Sequence, residues 1–184
     1  MSVNVAVIAG SLRQGAFSKA IAKSVASLLP EDYIVKFINI NMDLYNQDLD
    51  QEETVPESWK RFRQDMSKMD AVIFVTPEYN RSIPGGLKNA LDVGSRPMGS
   101  SIWDKKPALI ISESPGGMGG MAANFALRQS LVFLNMPTVQ QPEAYLGKVT
   151  SFINEDGSIT DQRELDYFQS LVNAFVDLVK KNVK

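Results

Sequence analysis

A segment near the N-terminus has the residue types that bind an anion. It lies between a predicted strand and a predicted helix and runs Gly10-Ser11-Leu12-Arg13-Gln14-Gly15-Ala16-Phe17-Ser18. The glycines allow a tight turn, and the backbone amides at the start of the helix are donors for a phosphate. Ser11 and Ser18 add hydroxyl groups, and Arg13 adds a guanidinium suited to a terminal phosphate. A solvated turn with Ser18 as the helix cap is the alternative.

Two common phosphate loops do not fit this segment. Gly10 and Gly15 have the spacing of a P-loop, but Ala16 and Phe17 stand where that motif needs lysine and a serine or threonine. The dinucleotide pattern G-x-G-x-x-G fails because Leu12 occupies its second glycine position. The sequence therefore favours a single terminal phosphate over NTP hydrolysis or a pyrophosphate site.

The chain contains neither cysteine nor histidine. This excludes disulfides, the usual structural zinc sites, and nucleophilic catalysis by cysteine or by a serine–histidine pair. The sequence also has no dense cluster of carboxylates, so we predict no bound metal. If the protein is an enzyme, we expect a cofactor to carry the chemistry, with no catalytic side chain.

The elements that position these residues alternate along the chain. Apolar runs predict strands at 3–9, 33–38, 71–75, 108–111 and near 138–140. Helical spacing of apolar residues predicts four helices: one that begins at Ser18 and is stopped by Pro30, one around 59–69, one after Pro84 and one over 121–134. A fifth helix is predicted to begin at a capping box formed by Asp161 and Glu164. Residues 41–55 read as a long loop. The pattern predicts an α/β doubly wound five-stranded parallel sheet of order 2-1-3-4-5, with helices on both faces.

That strand order also predicts where a ligand binds. In such sheets ligands lie beyond the carboxyl ends of strands 1 and 3, at the point where the strand order reverses. The first of these positions holds the segment 10–18. The second holds a segment that begins at Thr76 and runs Thr76-Pro77-Glu78-Tyr79-Asn80-Arg81-Ser82-Ile83-Pro84-Gly85-Gly86-Leu87-Lys88-Asn89-Ala90-Leu91-Asp92.

Together with Gly10-Ser11-Leu12-Arg13, this second segment resembles the NADPH-dependent FMN reductase family, which includes quinone, chromate and azo-dye reductases. The resemblance runs nearly end to end. It implies one flavodoxin-like FMN-binding domain over residues 1–184. It also implies that FMN phosphate is held by Ser11, Leu12, Arg13, Gln14, Gly15, Ala16, Phe17 and Ser18. The flavin ring would lie against Pro77, Glu78, Tyr79 and Asn80, with Ser114, Gly116 and Gly117 on its other side.

The residue types agree with these implied roles. Tyr79 offers an aromatic wall for a flat ring, and the glycines of the segment 114–120 let backbone approach a ligand. Other readings stay open: Tyr79 as a half-buried aromatic, and Glu78 as a solvated loop charge. Lys88, Asn89 and Asp92 are expected on the helix surface, as caps or as subunit contacts, and Arg81 either steers anionic ligands or is solvated.

Two positions depart from the family pattern. The family often has serine where Ala16 stands, so one phosphate hydroxyl is lost. It usually has tryptophan after Asp92, where this chain has Val93. The second departure weakens any inference about the packing of the third helix or about subunit contacts.

The resemblance implies an FMN-dependent oxidoreductase that takes a hydride from NADPH or NADH. Its acceptor would be a quinone, an azo compound, a metal oxyanion or free flavin, used in a ping-pong order. The alternatives are a flavodoxin-type electron carrier and a redox-sensing FMN-binding module. Arg13 and a formal net charge of only −2 count against the carrier, because carriers of that type usually have an arginine-free phosphate loop and a strongly acidic surface.

Composition limits the partners. The 184 residues are 44% hydrophobic and 22% charged, as in ordinary globular domains. The small net charge predicts no nucleic-acid binding, and no apolar run approaches the roughly 20 residues that cross a bilayer. The N-terminus lacks the pattern of a signal peptide, so we expect a cytoplasmic location without membrane insertion. The family resemblance implies a homodimer or homotetramer.

Overall fold

Strands and helices alternate through the computed structural model, which describes residues 2–183. The strands are β1 Val3–Ala9, β2 Tyr33–Phe37, β3 Ala71–Pro77, β4 Ala108–Glu113 and β5 Ala144–Leu146. The helices are α1 Phe17–Ala26, α2 Glu57–Ser67, α3 Gly85–Gly94, α4 Met121–Phe133 and α5 Gln162–Asn182. Short 3₁₀ turns lie at Gln47–Leu49 and Val149–Ser151.

The five strands form one parallel sheet in the order β2-β1-β3-β4-β5, as predicted. Because strand side chains alternate between faces, two apolar layers form. Phe74 and Ile110 pack with α2, α3 and α4 on one face, whereas Ile73 and Leu109 pack with α1 and α5 on the other. Every residue of β3 is buried, because helices cover both faces of a central parallel strand.

The position of the fifth strand was predicted wrongly. Thr138 makes only an isolated bridge to Ala108, at the beginning of β4. The strand that extends the sheet is β5, which pairs with Ile111–Glu113 at the other end of β4. Both short segments suit a strand by composition, so only their register against β4 decides between them. The predicted cap of α5 is confirmed, since the Asp161 carboxylate accepts hydrogen bonds from the backbone amides of Arg163 and Glu164.

The long loop before α2 is tied to the body of the protein by side chains. Asn89 accepts from the Tyr45 amide at 2.8 Å and donates to the Asp43 carbonyl at 3.0 Å. Arg63 donates two bonds to the Asp50 carboxylate, at 2.7 and 2.8 Å. Asn89 is therefore a buried anchor rather than a surface residue of α3, whereas Lys88 and Asp92 form an exposed ion pair. Val93 is fully buried in the core.

Candidate functional site

Three loops meet at the carboxyl ends of β1, β3 and β4 and enclose a cleft of about 250 Å³. We call it the switch-point cleft. They are the β1–α1 loop, the β3–α3 loop and the β4–α4 loop. The cleft is lined by Ser11, Arg13, Ala16, Phe17, Pro77, Glu78, Tyr79, Glu113, Ser114 and Pro115. The strand order thus brings the two predicted segments together with the glycine-rich loop after β4.

The β1–α1 loop passes directly against β3. A Cβ atom on Gly10 would lie 2.8 Å from the Thr76 hydroxyl oxygen, so this close approach requires glycine. Beyond it, the Ser11 hydroxyl accepts a bond from the Arg13 amide at 3.3 Å, which turns the chain. The Arg13 guanidinium donates to the Gly15 carbonyl at 2.8 Å. That bond uses one N–H group of a side chain that carries several.

The backbone amides in the first turn of α1 donate no hydrogen bond to a side chain at the N-cap position. Ala16 is the N-cap residue and has no side chain that could accept a bond from the helix amides. Ser18 lies inside the first turn, so the reading of Ser18 as the cap is wrong. Its hydroxyl is buried and has no hydrogen-bond partner among residues 2–183. A helix N-terminus without a side-chain cap, beside an unpartnered hydroxyl and an arginine, fits an oxyanion such as a phosphate.

Glu113 is a site residue that the sequence analysis missed. It is the last residue of β4, only 2% exposed, and it lines the switch-point cleft. Burial raises the pKa of its carboxyl group to about 7, although the Ser18 backbone amide and the charge of Arg13 act in the opposite direction. The predicted strand ended at Ile111, which placed Glu113 in a loop. The available signal was a carboxylate between an apolar strand and a glycine-rich segment.

The β3–α3 loop presents Tyr79 through a tight turn. The backbones of Tyr79 and Ser82 exchange two hydrogen bonds, at 2.9 and 3.0 Å. Between them Asn80 and Arg81 have φ angles of 51° and 65°, in the left-handed region typical of two-residue hairpin turns. Tyr79 is 48% exposed at the edge of the cleft, so its ring can face a flat ligand.

Glu78 ties this loop to α4. Its carboxylate accepts bonds from the amides of Ala122 and Ala123, at 2.9 and 3.2 Å, and so caps the start of that helix. The reading of Glu78 as a solvated loop charge is therefore wrong. Because Glu78 also lines the cleft, the cap fixes one wall of the site on a rigid element.

The β4–α4 loop is held against the edge of the sheet. The Ser114 hydroxyl accepts from the Gly116 amide at 3.0 Å, and the Ser114 amide donates to the Leu146 carbonyl at 2.9 Å. Gly119 has a φ of +60°, and a Cβ atom there would lie 2.4 Å from the Tyr145 carbonyl carbon. The loop therefore depends on its glycines to reach β5 closely.

The structure distributes the predicted site residues unevenly. Eight of them line the switch-point cleft, namely Ser11, Arg13, Ala16, Phe17, Pro77, Glu78, Tyr79 and Ser114. Leu12 and Gln14 line a neighbouring pocket with Lys19, and Gly15 lines another beside α1. Ser18 is buried behind the cleft, and Asn80, Gly116 and Gly117 do not line it.

We expect Ser18→Ala to stabilise the ligand-free protein by about 1 kcal/mol, because a buried hydroxyl without a partner costs free energy. The same change should weaken phosphate-dependent FMN binding about tenfold. Urea unfolding and fluorescence titration with FMN measure the two effects. Ser24→Ala, at a half-buried position of the same helix, is the matched control. A destabilised variant with unchanged FMN affinity would assign the hydroxyl a purely structural role.

Two absences hold for the described part of the chain. Residues 2–183 contain no group of three or more carboxylate, histidine or cysteine side chains placed to hold a metal ion. Within the same range, the longest helices are too short or too polar to span a membrane.

The sheet order, the helices on both faces and the three-loop cleft define a flavodoxin-like α/β protein with a candidate ligand site at the switch point. The comparison with known families is more specific. The chain belongs to the NADPH-dependent FMN reductase family, whose model matches residues 3–151.

Named relatives are similar over almost the whole chain. A quinone reductase from Pseudomonas putida is 48% identical over 180 residues, which cover 97% of this chain and 96% of that protein. A 2-hydroxy-1,4-benzoquinone reductase from a Burkholderia species is 39% identical and covers 98% of both. Among solved structures, the flavoenzyme NAD(P)H:(acceptor) oxidoreductase FerB from Paracoccus denitrificans superposes with a TM-score of 0.89, at 36% identity and 98% coverage of both chains.

Proposed function

We propose that this protein is an FMN-dependent NAD(P)H oxidoreductase that reduces small-molecule acceptors, quinones first among them. One observation carries the proposal: the switch-point cleft joins a loop whose residue types suit an anion to a half-exposed aromatic side chain, Tyr79. FMN combines these two features, since it has a terminal phosphate at one end and a flat ring at the other. The quinone reductases among the relatives support quinones as acceptors.

The fit to FMN rests on the chain's own residues. Arg13, the Ser11 hydroxyl and the first amides of α1 are the groups that would hold the phosphate. Tyr79 and Pro77 would contact the flavin ring, and the β4–α4 loop would supply backbone groups at Ser114. When bound, FMN accepts electrons from NADPH or NADH and transfers them to the acceptor. The protein's contribution is to bind and orient both partners.

The direct test is spectroscopic. The purified protein, loaded with FMN and freed of excess flavin, should retain flavin absorbance near one equivalent. Anaerobic NADPH should bleach that absorbance within seconds, and a quinone should then restore it. A protein that retains no flavin, or whose flavin stays oxidised with either nicotinamide nucleotide, would contradict the proposal. Azo compounds, metal oxyanions and free flavin belong to the same proposal as further acceptors, as does a cytoplasmic location where both donors are available.

We expect a ping-pong order of substrates. The three loops border one cleft, and Tyr79 is half exposed at its edge, so the nicotinamide and the acceptor should use the same opening in turn. Initial rates over a grid of NADPH and quinone concentrations should give parallel double-reciprocal lines. Intersecting lines, together with a ternary complex of an unreactive quinone analogue, would instead indicate separate binding pockets.

We further propose that the protein forms a homodimer or homotetramer through α4. Three large apolar side chains of this helix are more than half exposed: Phe125 at 53%, Val132 at 78% and Phe133 at 84%. Exposed apolar side chains clustered on one helix are typical of a subunit interface, and a second copy of this chain offers the same patch in return.

Phe133→Asp should shift the protein toward the monomer in sedimentation velocity, because it places a charge in this patch. Leu44→Asp is the matched control, since Leu44 is 78% exposed elsewhere on the surface. An unchanged sedimentation coefficient for Phe133→Asp would exclude α4 from the interface, and a monomeric native protein would refute the oligomer itself.

A further inference from the structure

The switch-point cleft combines a site for an anion with a buried carboxylate. The groups suited to a phosphate are Ser11, Arg13 and the first turn of α1, and Glu113 lines the same cleft at 2% exposure. The two other charged side chains of the cleft are bonded elsewhere: Arg13 donates to the Gly15 carbonyl, and Glu78 accepts from the amides of Ala122 and Ala123. The role of this glutamate bears directly on FMN binding, so the inference that follows rests on the proposed function.

Glu113 lines the same cleft as the start of α1, whose first amides have no side-chain cap. Ala16 offers α1 no side-chain acceptor, and the backbone amide of Ser18, in the first turn of α1, lowers the pKa of the Glu113 carboxyl group at the end of β4. The positive end of the helix favours a negative charge there. A phosphate held by the first amides of α1 would therefore lie in the same cleft as this carboxylate.

The charged groups around Glu113 do not neutralise it fully. Arg13 approaches from the β1–α1 loop, and its guanidinium also bonds to the Gly15 carbonyl. On α1, the Lys19 ammonium donates to the Leu12 carbonyl. From the β3–α3 loop, Glu78 adds a second carboxylate to the cleft, bonded to the amides of α4, and Tyr79 adds a phenol. The neighbouring residues on β3 and β5, Pro77 and Leu146, carry no charge.

An ionised carboxylate beside a phosphate dianion would raise the free energy of the complex, because the cleft is partly desolvated and repulsion is strong there. A protonated carboxyl group has the opposite effect. It removes one negative charge and its O–H group can donate to a phosphate oxygen.

We propose that Glu113 is a phosphate-binding residue in its protonated form, and that FMN binding above neutral pH takes up one proton from solvent onto its carboxylate. The proton then lies between a Glu113 oxygen and the phosphate. Riboflavin lacks the phosphate, so its binding is not coupled to this proton.

The raised pKa of the buried Glu113 carboxyl group agrees with this coupling. Burial raises the pKa of Glu113 to about 7 without any ligand, so the ionised form dominates at pH 8 and the protonated form at pH 6. A phosphate dianion in the cleft raises this pKa further. The second ionisation of a phosphate monoester lies near pH 6, so FMN itself changes charge little above pH 7.5.

The test is the pH dependence of FMN binding to the apoprotein, followed by quenching of flavin fluorescence between pH 6.5 and 9. For the native protein the Kd for FMN should rise by about tenfold per pH unit above pH 7.5. Glu113→Gln should bind FMN with nearly the same Kd throughout, and at pH 9 about 10- to 100-fold more tightly than the native protein. Riboflavin, as the matched ligand, should show no such dependence with either protein.

A second measurement needs no variant. Calorimetric titration of the native protein with FMN at pH 8, in buffers of different ionisation enthalpy, should give an uptake of close to one proton per FMN. FMN binding without proton uptake, or an equal pH dependence in Glu113→Gln, would overturn this inference and leave the proposed function standing. Failure of the native protein to bind FMN at any pH would overturn the proposed function itself.

Discussion

Glu113→Gln is expected to stabilise the FMN-free protein by about 3 kcal/mol at pH 8 and to leave its stability nearly unchanged at pH 4. The reason is that the native side chain must be buried as an anion at pH 8, where only the Ser18 amide and Arg13 oppose the cost. A glutamine of almost equal shape keeps an acceptor for the amide without the charge.

The sign of this stability change follows from the pKa of Glu113, which rises from 4.5 to about 7 on folding. Below pH 4.5 the carboxyl group is protonated in both the folded and the unfolded protein and does not affect the unfolding free energy. Between pH 4.5 and 7 the unfolded chain has released the proton that the folded protein still holds, so native stability falls as the pH rises. Above pH 7 the native protein has lost the full amount of this contribution to its unfolding free energy, and Glu113→Gln does not suffer this loss because glutamine has no proton to release.

Urea unfolding at pH 4, 6 and 8, followed by tryptophan fluorescence, measures this difference. Glu31→Gln is the matched control, because Glu31 lies exposed between α1 and β2. A stabilisation of the same size at all three pH values would contradict the coupling between stability and the protonation of Glu113. A variant less stable than the native protein at pH 8 would show that the Ser18 amide and Arg13 outweigh the cost of burying the charge.

Arg13→Ala is expected to weaken FMN binding about 10- to 150-fold while changing riboflavin binding much less. Arg13 lines the switch-point cleft with Ser11, and the two ligands differ only in the phosphate that this arginine would contact. The range corresponds to about 1.5–3 kcal/mol for one lost hydrogen bond to a charged group.

Fluorescence titrations of the apoprotein with both flavins measure this selectivity. Lys19→Ala is the control, since it removes a neighbouring positive charge whose ammonium bonds to the Leu12 carbonyl. It should lower FMN affinity by a smaller factor, and that factor should shrink at high salt. Equal losses of FMN and riboflavin affinity in Arg13→Ala would show that Arg13 shapes the loop, through its bond to Gly15, rather than binding the phosphate.

Much of the fold could be predicted from the amino-acid order because it depends on local patterns. The continuous apolar run at 71–75 and the helical spacing from Leu165 to Val179 each correspond to an element in the structure, β3 and α5. Once strands and helices alternate, right-handed crossovers leave few arrangements, and the order 2-1-3-4-5 is a common one among them. The two loops at the switch point could be located for the same reason, before any contact between them was known.

The tertiary structure decided the contacts between residues that are far apart in the chain. Glu78 caps a helix that begins more than forty residues later, through bonds to the amides of Ala122 and Ala123. β5 forms at Ala144–Leu146 because that segment, and not 138–140, comes into register with the end of β4. Neither contact has a local signature, since each depends on which backbone donors another element leaves free.

The same distinction between local sequence and tertiary contacts applies to the candidate site. Residue types, together with the family resemblance, predicted a phosphate loop, an aromatic wall and a glycine-rich loop, because these functions depend on the kind of side chain present. Whether a side chain is charged in its final position depends on what surrounds it. Two extra residues at the end of β4 bury Glu113 beneath the uncapped start of α1, and that burial moves its pKa into the physiological range. Desolvation is a property of the folded environment, and so only the tertiary structure could reveal it.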